Sequence, residues 1–102
     1  MLVAFSVAPS GTGRTDGSVH DAVAEAVRIV RESGLPNRTT SMFTEIEGEW
    51  DEVFAVIRDA CEAVGDHGSR VSLVLKADIR PGFTGEIEAK LDRLEAALEN
   101  DG

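Results

Sequence analysis

Met42-Phe43-Thr44-Glu45-Ile46-Glu47-Gly48-Glu49-Trp50 reads as a short strand, a glycine and the first residue of a helix. Strand alternation puts Thr44, Ile46 and Gly48 on one face and Glu45, Glu47 and Glu49 on the other. Three carboxylates on one face of a β-prone segment repel one another unless something answers them. Either they form the charged face of an edge strand in an acidic chain, or at least one of them pairs with a cationic or hydrogen-bonding group.

Upstream of that stretch, Arg38-Thr39-Thr40-Ser41-Met42 reads as a second β segment, and the two are expected to pair as a hairpin around Met42-Phe43 although no Asn-Gly or Asp-Gly marks the turn. Downstream, Trp50, Val53, Phe54, Ile57, Ala60, Cys61 and Val64 recur at spacings of three and four, the strongest helical signal in the chain, ending at Gly65-Asp66-His67-Gly68. Leu2 to Ala8 forms a strand with Val3, Phe5 and Val7 on one face and Leu2, Ala4, Ser6 and Ala8 on the other. Pro9 to Gly17 is a loop of turn formers. Its Gly11-Thr12-Gly13 lacks the lysine and third glycine of the phosphate-binding fingerprints, which leaves a connecting loop or a weaker anion cradle.

Ser18-Val19-His20-Asp21 opens a helix with a capping-box-like arrangement, and Gly34 stops it. Its apolar stripe is Val19, Ala22, Val23, Ala26, Val27 and Val30. Arg70 to Asp78 is a last strand, with Val71, Leu73 and Leu75 towards the core. Ile87, Leu91, Leu94 and Leu98 then give a third helix an apolar seam that has to dock on its own sheet or on a partner subunit.

The order strand, helix, strand, strand, helix, strand, helix predicts an α+β fold: the ferredoxin-like βαββαβ antiparallel sheet with an additional C-terminal helix. Two helices cover one face. The other face is expected to carry apolar side chains and to serve self-association, as a homodimer or homotetramer with ligand pockets where subunits meet.

Composition narrows the function. At 102 residues the chain is expected to be one domain over 1–102, a size that buries only roughly 60–65% of the unfolded surface. Ten basic against nineteen acidic residues, a net charge of −9, argue against nucleic acid and against anionic membranes, since both need clustered cations. Cys61 alone makes no intrachain disulfide or thiolate cluster, and neither His20 nor His67 has a second ligand at metal spacing. No metal, cofactor or catalytic constellation is expected. The segment before Pro9 is too short for a secretory h-region and no run approaches the roughly 20 apolar residues of a membrane span, so the expected location is cytoplasmic.

Ser6-Val7-Ala8-Pro9 with Gly11-Thr12-Gly13, then Glu32-Ser33-Gly34-Leu35, Thr44 to Trp50, and Arg70-Val71 leading to Lys76-Ala77-Asp78-Ile79-Arg80 together resemble the thiamine-binding protein family of small ferredoxin-like proteins. The most specific part is Thr-x-x-Glu-Gly-x-Trp followed by Lys-x-Asp-x-Arg. The resemblance implies a cytoplasmic homotetramer of paired dimers that binds thiamine or its hydroxymethylpyrimidine moiety without transforming it. Phe43 and Glu45 depart from the family pattern, where a small and an apolar residue are usual.

For such a ligand, Glu47 is the candidate partner of the pyrimidine amine or a protonated ring nitrogen, a charge-assisted bond worth roughly 1.5–3 kcal/mol. Thr44 offers a hydroxyl to a ring nitrogen, Ser6 and Thr12 extend the polar lining, Phe43 reshapes the pocket, and Trp50 either stacks on a ring or packs in the core. Lys76, Asp78 and Arg80 are read as a structural ion-pair set or as phosphate contacts. The alternative is a structural or regulatory oligomerisation module whose pocket is modified or unused.

Overall fold

The computed structural model describes residues 1–10, 18–82 and 84–100, without the side chains of residues 18–20 and 100. The elements are β1 (Leu2–Ser10), α1 (Ser18–Glu32), β2 (Asn37–Thr39), β3 (Thr44–Glu47), α2 (Trp50–Gly65), β4 (Arg70–Asp78) and α3 (Glu86–Asn100). The four strands form one antiparallel sheet in the order β2-β3-β1-β4, the ferredoxin-like arrangement.

Cross-strand register explains which side chains share a face. Val3 lies opposite Ile46 on one side and Ala77 on the other, and Phe5 lies opposite Thr44 and Leu75. These residues meet the helices: Val3, Phe5, Val7 and Ile46 form a continuous core with Ala22, Ala26 and Val30 of α1 and with Val53, Ile57, Ala60 and Val64 of α2. Each helical set follows the spacing of three and four that puts it on one stripe.

Local signals fix the ends of the elements. Gly34 takes φ +80 just past α1, the left-handed conformation that closes a helix at least cost. The Glu52 side chain reaches back to accept from the Glu49 N–H at 3.1 Å, half of a capping box at the start of α2. Gly48, between β3 and α2, sits in a tight place: a Cβ there would stand 3.2 Å from Val53 Cγ2 and 3.4 Å from Leu35 Cδ1, so those side chains would have to give way by a few tenths of an ångström.

Two expectations are corrected, and a third holds for the face but not for the depth of burial. Trp50 heads the α2 stripe but is 51% exposed; it stacks on Phe54 at the surface, ring centroids 5.3 Å apart and 14° from parallel. It lies three residues before the first buried residue of the helix, Val53. Val71, Leu73 and Leu75 do share the helix-facing side of the sheet, yet remain 36–39% exposed because β4 is an edge strand. The opposite face is small and mixed rather than apolar: Ala4, Ser6 and Ala8 beside Ser72, Val74 and Lys76.

One corner of that face is covered. Leu2 and Glu47 are cross-strand neighbours there and both are buried. The first turn of α3 lies against them, with Ile87 and Glu86 also buried. Beyond that turn the apolar seam of α3 is bare: Leu91, Leu94 and Leu98 are exposed.

Candidate functional site

The hairpin expected around Met42-Phe43 forms with Thr39 opposite Thr44. A threonine closes its turn, in place of the usual Asn-Gly. The Thr40 N–H donates to Phe43 O at 2.8 Å, the Thr40 hydroxyl donates to the same oxygen at 2.9 Å, and that hydroxyl accepts from the Phe43 N–H at 3.2 Å. Held this way, residues 40–43 leave the line of β3 instead of extending it.

That departure opens a cavity. β1 pairs with β4 over its whole length, but with β3 only as far as Phe5 opposite Thr44. Between the free edge of β1, the Val23, Ala26 and Val27 side of α1 and the hairpin turn lies a space of about 200 Å³, lined also by Phe5, Ser6, Val7, Ala8 and residues 39–44. A cavity of about 150 Å³ already holds a benzene ring, so this one suits a single substituted six-membered ring.

Its chemistry is uniform. None of the described lining residues carries a charge. Hydroxyls come from Ser6, Thr39, Ser41 and Thr44, apolar walls from Val23, Val27 and Phe43. Burying a bare charge in such a site is expensive, whereas a neutral heterocycle with a few polar atoms fits it. Met42, at 75% exposure, and Phe43, at 37%, stand at the mouth.

Of the residues singled out by sequence, this cavity gathers Ser6, Phe43 and Thr44. Alternation places Ser6 with Ala4 and Ala8 on the face away from the helices, so it borders the cavity at the strand edge. Thr12 lies outside the described residues, as does the rest of the glycine-rich segment at 11–17. Trp50 is not among the lining residues.

Glu47 is elsewhere and already partnered. Its Oε2 accepts from the Glu86 N–H at 3.0 Å and its Oε1 from the Ile87 N–H at 3.4 Å. These are orphan donors of the first turn of α3, where the helix dipole favours a negative charge. Glu47 thus works as a helix cap supplied from the sheet. A second hollow of about 270 Å³ adjoins it, lined by Met1, Leu35, Pro36, Gly48, Glu49, Glu52, Thr84 and Gly85. Two of its carboxylates are committed to main-chain N–H groups, Glu47 to α3 and Glu52 to Glu49.

The Lys76, Asp78 and Arg80 group resolves in part into ion pairs that hold α3. Asp78 pairs with Lys90, and Arg80 lies 3.6 Å from Glu86, which also binds Arg93 at 3.0 Å. The hydrogen bond and charge of Lys90, helped by Arg80 and Lys76, hold the Asp78 carboxyl below its ordinary range. Arg38, opposite Glu45 across the hairpin, pairs with Glu88. Cys61 is half-buried against the core, and that burial pushes its thiol up, away from nucleophilic use. Among the described residues no three His, Cys, Asp or Glu side chains are grouped to hold a metal ion.

Sequence reasoning passed over Val23 and Val27 as lining residues. The signal was present: the apolar stripe of α1 is wider than its buried row of Ala22, Ala26 and Val30 needs.

With this geometry in view, a family model described as thiamine-binding protein matches residues 3–95. The chain belongs to the thiamine-binding protein family. A UPF0045 protein of Mycobacterium bovis is 50% identical over 99 residues, covering 96% of this chain and 94% of the relative. Among solved structures of similar fold, one from Methanocaldococcus jannaschii superposes with a TM-score of 0.79 at 29% identity, covering 92% of this chain and 94% of that one. A domain of unknown function, DUF77, from Bacillus cereus gives 0.72 at 30% identity, over 83% and 82% of the two chains. The family's ferredoxin-like fold is thus shared along nearly the whole chain, and thiamine binding is the general role that the family description carries.

Proposed function

We propose that the chain is a non-enzymatic, cytoplasmic binder of thiamine or its hydroxymethylpyrimidine moiety, and that Ser6, Thr44 and Phe43 line the binding pocket at or near a subunit interface of a homo-oligomer. The observation that carries this reading is the ring-sized, neutral, hydroxyl-lined cavity beside β1 in a chain of the thiamine-binding family. A pyrimidine with polar ring atoms matches the threonine and serine hydroxyls, and the valine walls match its faces. The fixed charge of a thiazolium would stay at the mouth, in the field of an acidic protein with net charge −9. Exposed Met42 and Phe43 at the mouth, and the bare leucines of α3, are surfaces that a second copy would cover. No described helix is long and apolar enough to cross a membrane.

The test is the melting temperature of the purified protein with thiamine, hydroxymethylpyrimidine or thiamine diphosphate. A ligand at 100 times its dissociation constant stabilises by about 2.7 kcal/mol, and for a domain of this size that is a rise of roughly 10 °C or more. No rise with any of the three overturns the proposal.

The position of Phe43 favours a second reading, an oligomerisation module with a modified pocket, because this bulky ring lines the cavity at a position where the resemblance implies a small residue. Under that reading the native chain binds none of the three compounds and Phe43→Gly gains affinity for one of them.

A further inference from the structure

In an antiparallel ladder the N–H and C=O of one residue point to the same neighbouring strand, and successive residues alternate sides. Met1 sets the phase for β1. Its amino nitrogen donates to Gly48 O at 3.0 Å, and the Gly48 N–H donates to Met1 O at 3.1 Å. Odd-numbered residues of β1 therefore aim their main chain at β3, and even-numbered ones at β4.

Pairing with β3 ends at Phe5. Continuing the register would bring Met42 opposite Val7, but Met42 belongs to the turn that Thr40 closes. Pro9, the next odd position, has no N–H to offer. Val7 is thus left with a donor and an acceptor on the cavity side of the strand, with no described strand beside them. It lines the cavity together with Ser6 and Ala8, and its side chain is buried in the core. A main-chain N–H and C=O bordering a largely apolar space favour an occupant that satisfies both.

We propose that the main-chain N–H and C=O of Val7 read the edge of a neutral heteroaromatic ring carrying a ring-nitrogen acceptor beside an exocyclic amine donor. A 4-aminopyrimidine has such an edge, and the ring takes the place that the next residue of β3 would have had. This rests on the function proposed above and adds its selectivity: the strand edge chooses the ring by its donor and acceptor pattern, the hydroxyls of Thr44 and its neighbours serve its other polar atoms, and the walls Val23, Val27 and Phe43 pack its faces. The Val7 N–H needs a lone pair on the ring nitrogen it faces, so the edge is read with that nitrogen unprotonated.

The experiment is an amide-resolved NMR titration of the whole chain with hydroxymethylpyrimidine and with the same compound lacking its 4-amino group. The expected result is a shift of the Val7 amide with the first compound and an affinity at least about ten-fold lower for the second, which leaves the Val7 carbonyl without its donor. If the amides of Ala26 and Thr44 shift while that of Val7 does not, and both compounds bind equally, the strand-edge recognition is wrong and the pyrimidine pocket stands. If neither compound nor thiamine shifts any amide around the cavity, the proposed function fails, and this inference with it.

Discussion

Glu47 on β3 accepts a hydrogen bond from the backbone N–H of Glu86 at 3.0 Å, across 39 residues of chain, with both residues buried. One carboxylate thereby joins the sheet to the first turn of α3. Glu86 in turn is balanced by Arg93 and Arg80. The two buried acids do different work: Glu47 satisfies main-chain donors, and Glu86 answers two guanidinium groups.

Glu47→Ala should therefore act on stability rather than on the cavity. Loss of a cap costs about 0.5–2 kcal/mol, and burial adds to it by leaving N–H groups unpaired. Urea unfolding should show a loss of roughly 1–3 kcal/mol, and hydrogen exchange should speed up at Glu86 and Ile87 first. Affinity for a pyrimidine should stay within about two-fold of the parent, since a tenfold change would require roughly 1.4 kcal/mol of lost contact at the site. A tenfold loss of affinity with unchanged stability would return Glu47 to the binding site.

The fold was legible because each element carries its own period. The bounds of β4 at Arg70 and Asp78, the stop of α1 at Gly34 and the α2 stripe all follow from local pattern. The role of Glu47 was not legible, because its partners are main-chain N–H groups distant in sequence, and a backbone donor has no residue type to betray it. The carboxylate face of β3 did signal that something answers it, and the something is a helix terminus. The cavity was half legible: Phe43 and Thr44 lie on the stretch that drew attention. Its existence depends on β1 outrunning β3, a mismatch of strand lengths that no residue type encodes.

Thr44→Val tests the cavity hydroxyl with little change of shape. Valine keeps the β-branch that suits a strand, so stability should move by less than about 1 kcal/mol. Calorimetric affinity for hydroxymethylpyrimidine should fall by about ten-fold, the size of one lost hydrogen bond in a buried site. Unchanged affinity would remove Thr44 from the pocket.

Leu94 and Leu98 are 54% and 58% exposed on one side of α3. A charge placed there costs the isolated chain almost nothing, but it does not fit an apolar contact between copies. Leu94→Asp with Leu98→Asp should lower the mass seen by light scattering to that of a smaller assembly. It should also weaken the dependence of melting temperature on protein concentration. An unchanged mass would show that assembly does not use this seam.

Acid should loosen α3 through Asp78. Its carboxyl titrates below the ordinary aspartate range because Lys90 donates to it and sits beside it, with Arg80 and Lys76 adding to the field. A group whose folded pKa is depressed binds its proton less readily in the native state, so its contribution is present above the unfolded pKa near 4 and is lost as pH falls through the lower folded value. The pair is solvent-exposed, so the effect is small and weakened by salt. Stability of the parent and of Asp78→Asn, measured from pH 7 down to about 2, should differ most at neutral pH and converge at the acid end. A gap that widens on acidification would mean that the carboxyl is not held low by Lys90.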